Sequence, residues 1–165
     1  MHPSSGSPWN TRSLRVEGHP IVEWAHIDVI GNPQCAIGVL RDGAWVVDTA
    51  DGLVPLDDDR SLVFVFPLLS ESLNTLRDRI RSSLDRSNLD VTNVDGFPFS
   101  RIVSRAIEGG GFWAEKSFDW LKSIQLGDAE RASAIKGLKH IESDKSYEQQ
   151  LRHLARRHRT RLEGV

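Results

Sequence analysis

Apolar residues in this chain change their spacing part-way along, and that change constrains the fold more than any single motif. Up to Phe66 they come in short runs separated by turn residues. From Leu69 onward they recur at intervals of three and four. In the first part Ala25, Ile27 and Val29 alternate with His26 and Asp28, the period of a half-buried strand. Gly31-Asn32-Pro33 marks a turn. The runs CAIGVL and AWVVDT flank Arg41-Asp42-Gly43, and an Asp-Gly pair between apolar runs signals a hairpin. Asp51-Gly52 repeats that signal before LVPL, and SLVFVF reads as a buried strand ended by Pro67. Three or four strands so spaced make an antiparallel meander with one face covered.

Leu69, Leu73, Leu76, Ile80 and Leu84 form the seam of a helix suited to cover that sheet. After turn residues Ser87-Asn88 and Asn93 comes the densest apolar stretch, residues 95–124. Ser100 is placed to cap a helix in which Ile102, Val103, Ala106 and Ile107 share a face. Gly109, Gly110 and Gly111 interrupt it. Trp113, Ser117, Trp120, Leu121 and Ile124 then share a stripe, with Ala114 and Phe118 beside it, so Trp113 and Trp120 are both expected in the core. Ala132, Ile135, Leu138 and Ile141 mark the next helix. Ser146 and Gln149 have capping-box spacing for a last one, whose inner face is Tyr147, Leu151, Leu154, Ala155, His158 and Leu162.

The fold class is therefore α+β, a small antiparallel N-terminal sheet packed against a C-terminal layer of about four helices. A length of 165 residues predicts one domain: a flexible lead over 1–13, the sheet plus covering helix over 14–86, and the helical layer over 100–162. An apolar fraction of 39% and a charged fraction of 27% exclude a disordered chain. No apolar run approaches the roughly 18 residues of a membrane span, so no membrane partner is expected. The N-terminus lacks the apolar core of a signal peptide, and the single Cys35 fits a reducing compartment; both favour the cytoplasm. Charge is uneven. Residues 1–99 carry 8 basic and 14 acidic side chains, residues 100–165 carry 13 and 9, and every lysine lies in the second part.

Motifs that could carry chemistry are sparse. The three glycines precede a helix, but no Lys-Ser/Thr follows and the spacing is not that of a dinucleotide fingerprint. They read as a helix stop and connector. His2, His19, His26, His140, His153 and His158 make no HExxH or i, i+4 pair, so no metal or cofactor is expected. Cys35 reads as a small buried hydrophobe rather than a nucleophile. His26 and Asp28 fall on one strand face and could orient an imidazole, although such a pair is commonly a solvated face. Asp48, Asp51 and Asp57, Asp58 and Asp59 crowd the turns without EF-hand spacing.

The C-terminal run holds Arg152, Arg156, Arg157, Arg159 and Arg161. These are the candidate partner-binding residues, suited to phosphates or an acidic protein, and suited equally to a helix C-terminus. In size and make-up the chain is similar to small stand-alone bacterial immunity proteins. The leading expectation is a protein-interaction protein, an inhibitor or immunity type that occludes its partner. Its alternative is a nucleic-acid-associated protein using the arginine run. An enzyme with a site assembled from distant residues ranks third. Nothing in the pattern sets an oligomeric state.

Overall fold

The computed structural model describes residues 6–31 and 34–164, so the expected turn at Asn32-Pro33 and the start of the expected lead lie outside the described residues. The fold is α+β, five strands preceding five α-helices. It divides into two compact units. A sheet unit runs to Leu68 and includes Asn74–Phe97; a helical unit comprises Leu69–Leu73 and the chain from Pro98 onward.

In the sheet unit β1 (Trp9–Ser13), β2 (Ile21–Ile30), β3 (Cys35–Leu40), β4 (Trp45–Thr49) and β5 (Gly52–Pro55) form an antiparallel meander in chain order. The first strand corrects the expected lead, since residues 9–13 pair with β2 along their whole length. Its neighbour residues then curl the sheet until its edges meet. Leu14 bridges Leu53, the Arg15 N–H donates to the Leu53 carbonyl at 2.8 Å, and the Arg12 guanidinium donates to Asp48 and to the Thr49 carbonyl, each at 2.8 Å. Gly52 permits this closure: its φ is +126°, and a Cβ there would stand 2.7 Å from the Ser13 carbonyl.

Curling buries both faces. Trp24, Val46 and Leu53 pack with Leu14, Val22, Ala36 and Leu40, while Ala25, Ile37, Val39, Trp45 and Val47 are buried on the opposite face. Two-sided burial explains why CAIGVL and AWVVDT are nearly continuous apolar runs rather than clean alternations. Gly38 sits beneath the Trp24 indole, which occupies the place a Cβ would take.

Two local readings are corrected here. A bulge between His26 and Asp28 inserts Ile27 as an extra residue. Asp28 thus shares a face with Ala25 instead of His26, and accepts from Arg79 Nε at 2.7 Å, while Val29 is left exposed. The run SLVFVF is not a strand. Ser61–Ser70 winds in 3₁₀ turns with Pro67 inside, burying Leu62, Val65 and Leu68 at a period of three and exposing Val63 and Phe64. Leu73, Leu76, Ile80 and Leu84 are all buried along α1 (Leu73–Arg86), as their spacing requires. A second 3₁₀ stretch, Val91–Gly96, brings the Asn93 carbonyl to Trp45 Nε1 at 2.9 Å.

The helical unit contains α2 (Phe99–Gly109), α3 (Gly111–Leu121), α4 (Asp128–Ser143) and α5 (Gln149–Glu163). Ser100 lies inside α2 instead of capping it, and its hydroxyl reaches the Gln125 carbonyl at 3.4 Å; Phe99, one residue earlier, is drawn into the core and starts the helix. Trp120 is fully buried, donates from Nε1 to the Glu71 carbonyl at 2.7 Å and meets Phe99 edge-on at 5.9 Å. Trp113 is only half-buried. The inner stripe of α3 is Ala114, Ser117, Phe118 and Leu121, which leaves Trp113 in the first turn beside exposed Phe112. Gly110 and Gly111, at φ +67° and +65°, turn the chain between α2 and α3. In α4 the buried stripe is Ala134, Gly137, Leu138 and Ile141, displaced from the expected one. Gly137 sets that displacement, because a Cβ there would lie 2.8 Å from Ile107 Cγ2 and 2.9 Å from the Ile107 carbonyl. Only glycine lets α2 and α4 approach so closely. The capping box is not formed: the Ser146 N–H donates to Asp144 at 2.8 Å, and α5 starts after Glu148.

Candidate functional site

The arginine run is divided by the helix it sits on. Arg159 turns inward, with Nε 2.7 Å from Glu142 and Nη1 2.5 Å from Glu163, and Lys139 joins Glu163 at 3.1 Å. These pairs tie α5 to α4 and hold the Glu142 and Glu163 carboxyls below their usual pKa range, Glu142 chiefly through the bond from Arg159 and Glu163 chiefly through that from Lys139. Arg161 Nη2 donates to the Leu121 carbonyl at 2.7 Å, at the C-terminal end of α3, where a cation complements the helix dipole. Arg152 is half-buried and its Nε has no hydrogen-bond partner. Arg156 and Arg157 are exposed; Arg156 stands 3.7 Å from Glu142. Gln149, His153 and Arg157, four residues apart, line one shallow hollow on α5.

His158 is buried against the Phe118 ring, centroids 4.8 Å apart. Burial, reinforced by Arg161, Lys122 and Arg157, lowers its pKa to about 4, so it is neutral at pH 7. The other sequence candidates do not converge. Tyr147 fills the space at Gly110 with its hydroxyl, so the glycines form a packed connector. Among the described residues no group of three His, Cys, Asp or Glu side chains could hold a metal ion.

A second surface, absent from the sequence reading, lies on the sheet unit. A cleft of about 670 Å³ is lined by the apolar Val29, Ala36 and Phe64, by Cys35, and by the charged Arg15, Asp48 and Asp51. Cys35 is half-buried there, not the enclosed hydrophobe expected. A smaller hollow of about 250 Å³ shares Phe64 and Arg15 and runs to Asp58 and Arg60. Phe64 and Arg15 thus line both hollows. The bulge at Ile27 exposes Val29, and the 3₁₀ winding exposes Phe64. Both features are hidden in a sequence read as regular strands. The signal that could have found Phe64 is the three-residue spacing of Leu62, Val65 and Leu68 around an internal proline.

No protein-family model matches the chain, and comparison with curated proteins and with solved structures finds no match. No helix among the described residues is long and apolar enough to cross a membrane.

Proposed function

We propose that the chain is a cytoplasmic protein-interaction protein, of inhibitor or immunity type, that covers a surface of one protein partner with the cleft of its sheet unit. One observation carries this reading. Of seven exposed large apolar side chains among the described residues, six belong to the sheet unit, and two of these, Val29 and Phe64, face the same cleft. Exposed apolar groups gathered in a hollow with a polar rim have the anatomy of an interface centre.

The test compares wild type with Val29→Ser/Phe64→Ser in co-purification from the native host. A protein partner retained by wild type and lost by the folded variant is the expected result. Equal recovery with both refutes the cleft as the binding face. Nucleic acid retained by wild type and lost in Arg156→Gln/Arg157→Gln would replace the reading with the nucleic-acid one.

A further inference from the structure

We propose that α5 is an acid-released latch: a proton taken up by His158 frees the helix from α3 while α2 and α4 stay packed. This device is independent of the binding role of the sheet unit. Its ground is the way α5 is attached. Toward α3, the buried His158 ring lies against buried Phe118 with centroids 4.8 Å apart, and Arg161 Nη2 donates to the Leu121 carbonyl at 2.7 Å. Toward α4, Arg159 is bonded to Glu142, and Lys139 to Glu163. The first attachment contains a group that gains charge in mild acid. The second uses carboxylates that their ion pairs hold below the usual range, so they stay ionised longer as pH falls.

The surroundings of His158 leave an added proton uncompensated. Its ring makes no hydrogen bond among the described residues. The charged groups acting on it are all cations: Arg161 and Arg157 on its own helix, and Lys122 at the end of α3. On the α4 side, Lys139 and Glu142 are occupied by Glu163 and Arg159. The Phe118 face attracts an imidazolium, but against it stand lost hydration and three like charges. Release returns water to the ring. The closed form therefore resists the proton and the open form accepts it near pH 6.5, so closure is strongest above that pH and weakens as pH falls toward 4.

Hydrogen exchange of the full chain, followed by NMR and corrected for the intrinsic pH dependence, tests this together with the titration of the His158 ring. A helix of 15 residues draws most of its stability from packing, so its amides exchange on release. In wild type the α5 amides should exchange more readily than those of α2. Their opening constant should rise about a hundredfold between pH 7 and pH 4, and the His158–Phe118 ring contact should fade in step. His158→Phe, which keeps a ring against Phe118, and His158→Gln should each abolish the rise. One opening constant shared by α5 and α2 would mean that acid unfolds the whole unit, and it overturns the latch. A rise that persists in both variants overturns it too, because carboxylates then carry it. So does a His158 ring that titrates near 6.5 in the folded chain, as a solvated imidazole does.

Discussion

Trp120→Ala tests the centre of the helical unit. The indole has no solvent exposure, lies edge-on to Phe99 and donates to the Glu71 carbonyl at 2.7 Å. Deleting a packed aromatic costs about 3–5 kcal/mol in lost contacts and residual cavity. Withdrawing the donor from Glu71 is part of that loss and is worth about 1 kcal/mol by itself. Taking about 4 kcal/mol, and about 2–4 °C per kcal/mol for a chain of this size, the melting temperature should fall by about 8–16 °C. Trp120→Phe keeps a ring against Phe99 and gives up the hydrogen bond and some volume, so its loss should be about 1–2 kcal/mol. Thermal and urea unfolding followed by circular dichroism measure both. Hydrogen exchange in Trp120→Ala should rise first in α2 and α3. A melting temperature within about 2 °C of wild type would refute the assignment, and a Phe variant as unstable as the Ala one would show that packing is not what Trp120 supplies.

Four further outcomes are expected. Gly137→Ala should destabilise by about 1–3 kcal/mol in chemical denaturation, although alanine favours helix by about 1 kcal/mol, because the added Cβ meets Ile107. Gly110→Ala should lower stability, with a positive φ and the Tyr147 hydroxyl both opposing it, and Tyr147→Phe in the same chain should relieve part of that loss. His158 has a folded pKa near 4 against 6.5 unfolded, so the unfolded state takes the proton first. Stability should fall by up to about 3 kcal/mol as pH drops from 6.5 to 4, and His158→Gln should flatten that limb of the profile. Arg159→Gln should lower the melting temperature by loosening α5 from α4, whereas Arg156→Gln/Arg157→Gln should leave it unchanged.

What could be read from the residues followed the regularity of the backbone. Leu73, Leu76, Ile80 and Leu84, and the stretch Ile102 to Ile107, sit on ideal helices, so their spacing maps directly onto burial. The hairpins at Asp42-Gly43 and Asp51-Gly52 were legible because those turns need glycine at positive φ. Misreadings arose where long-range contacts decide. Trp9–Ser13 is a polar segment that becomes a strand only because β2 offers an unpaired edge. Gly137 looks like a weak point in α4 until Ile107 is seen against it. The arginine run read as one surface, yet Glu142, seventeen residues before Arg159, turns that side chain inward. The cleft was least legible of all, since it depends on a bulge and on 3₁₀ winding that break the two periods a sequence reading uses.

The charge division visible in the sequence coincides with the division into units, and that coincidence bears on how the two surfaces differ. In the helical unit the arginines are partly consumed by structure: Arg159 is bonded to Glu142 and Glu163, and Arg161 to the end of α3. Carboxylates beside the cleft include side chains spent on turns, as Asp58 accepts the Arg60 N–H, but Asp51 extends into solvent at the rim. Beside Phe64 charges of both signs stand together: Arg15 and Asp51 line the larger hollow, and Arg15, Arg60 and Asp58 the smaller. Charges beside an exposed apolar side chain discourage self-association, and a mixture of signs does so without giving the hollows the net charge of the unit.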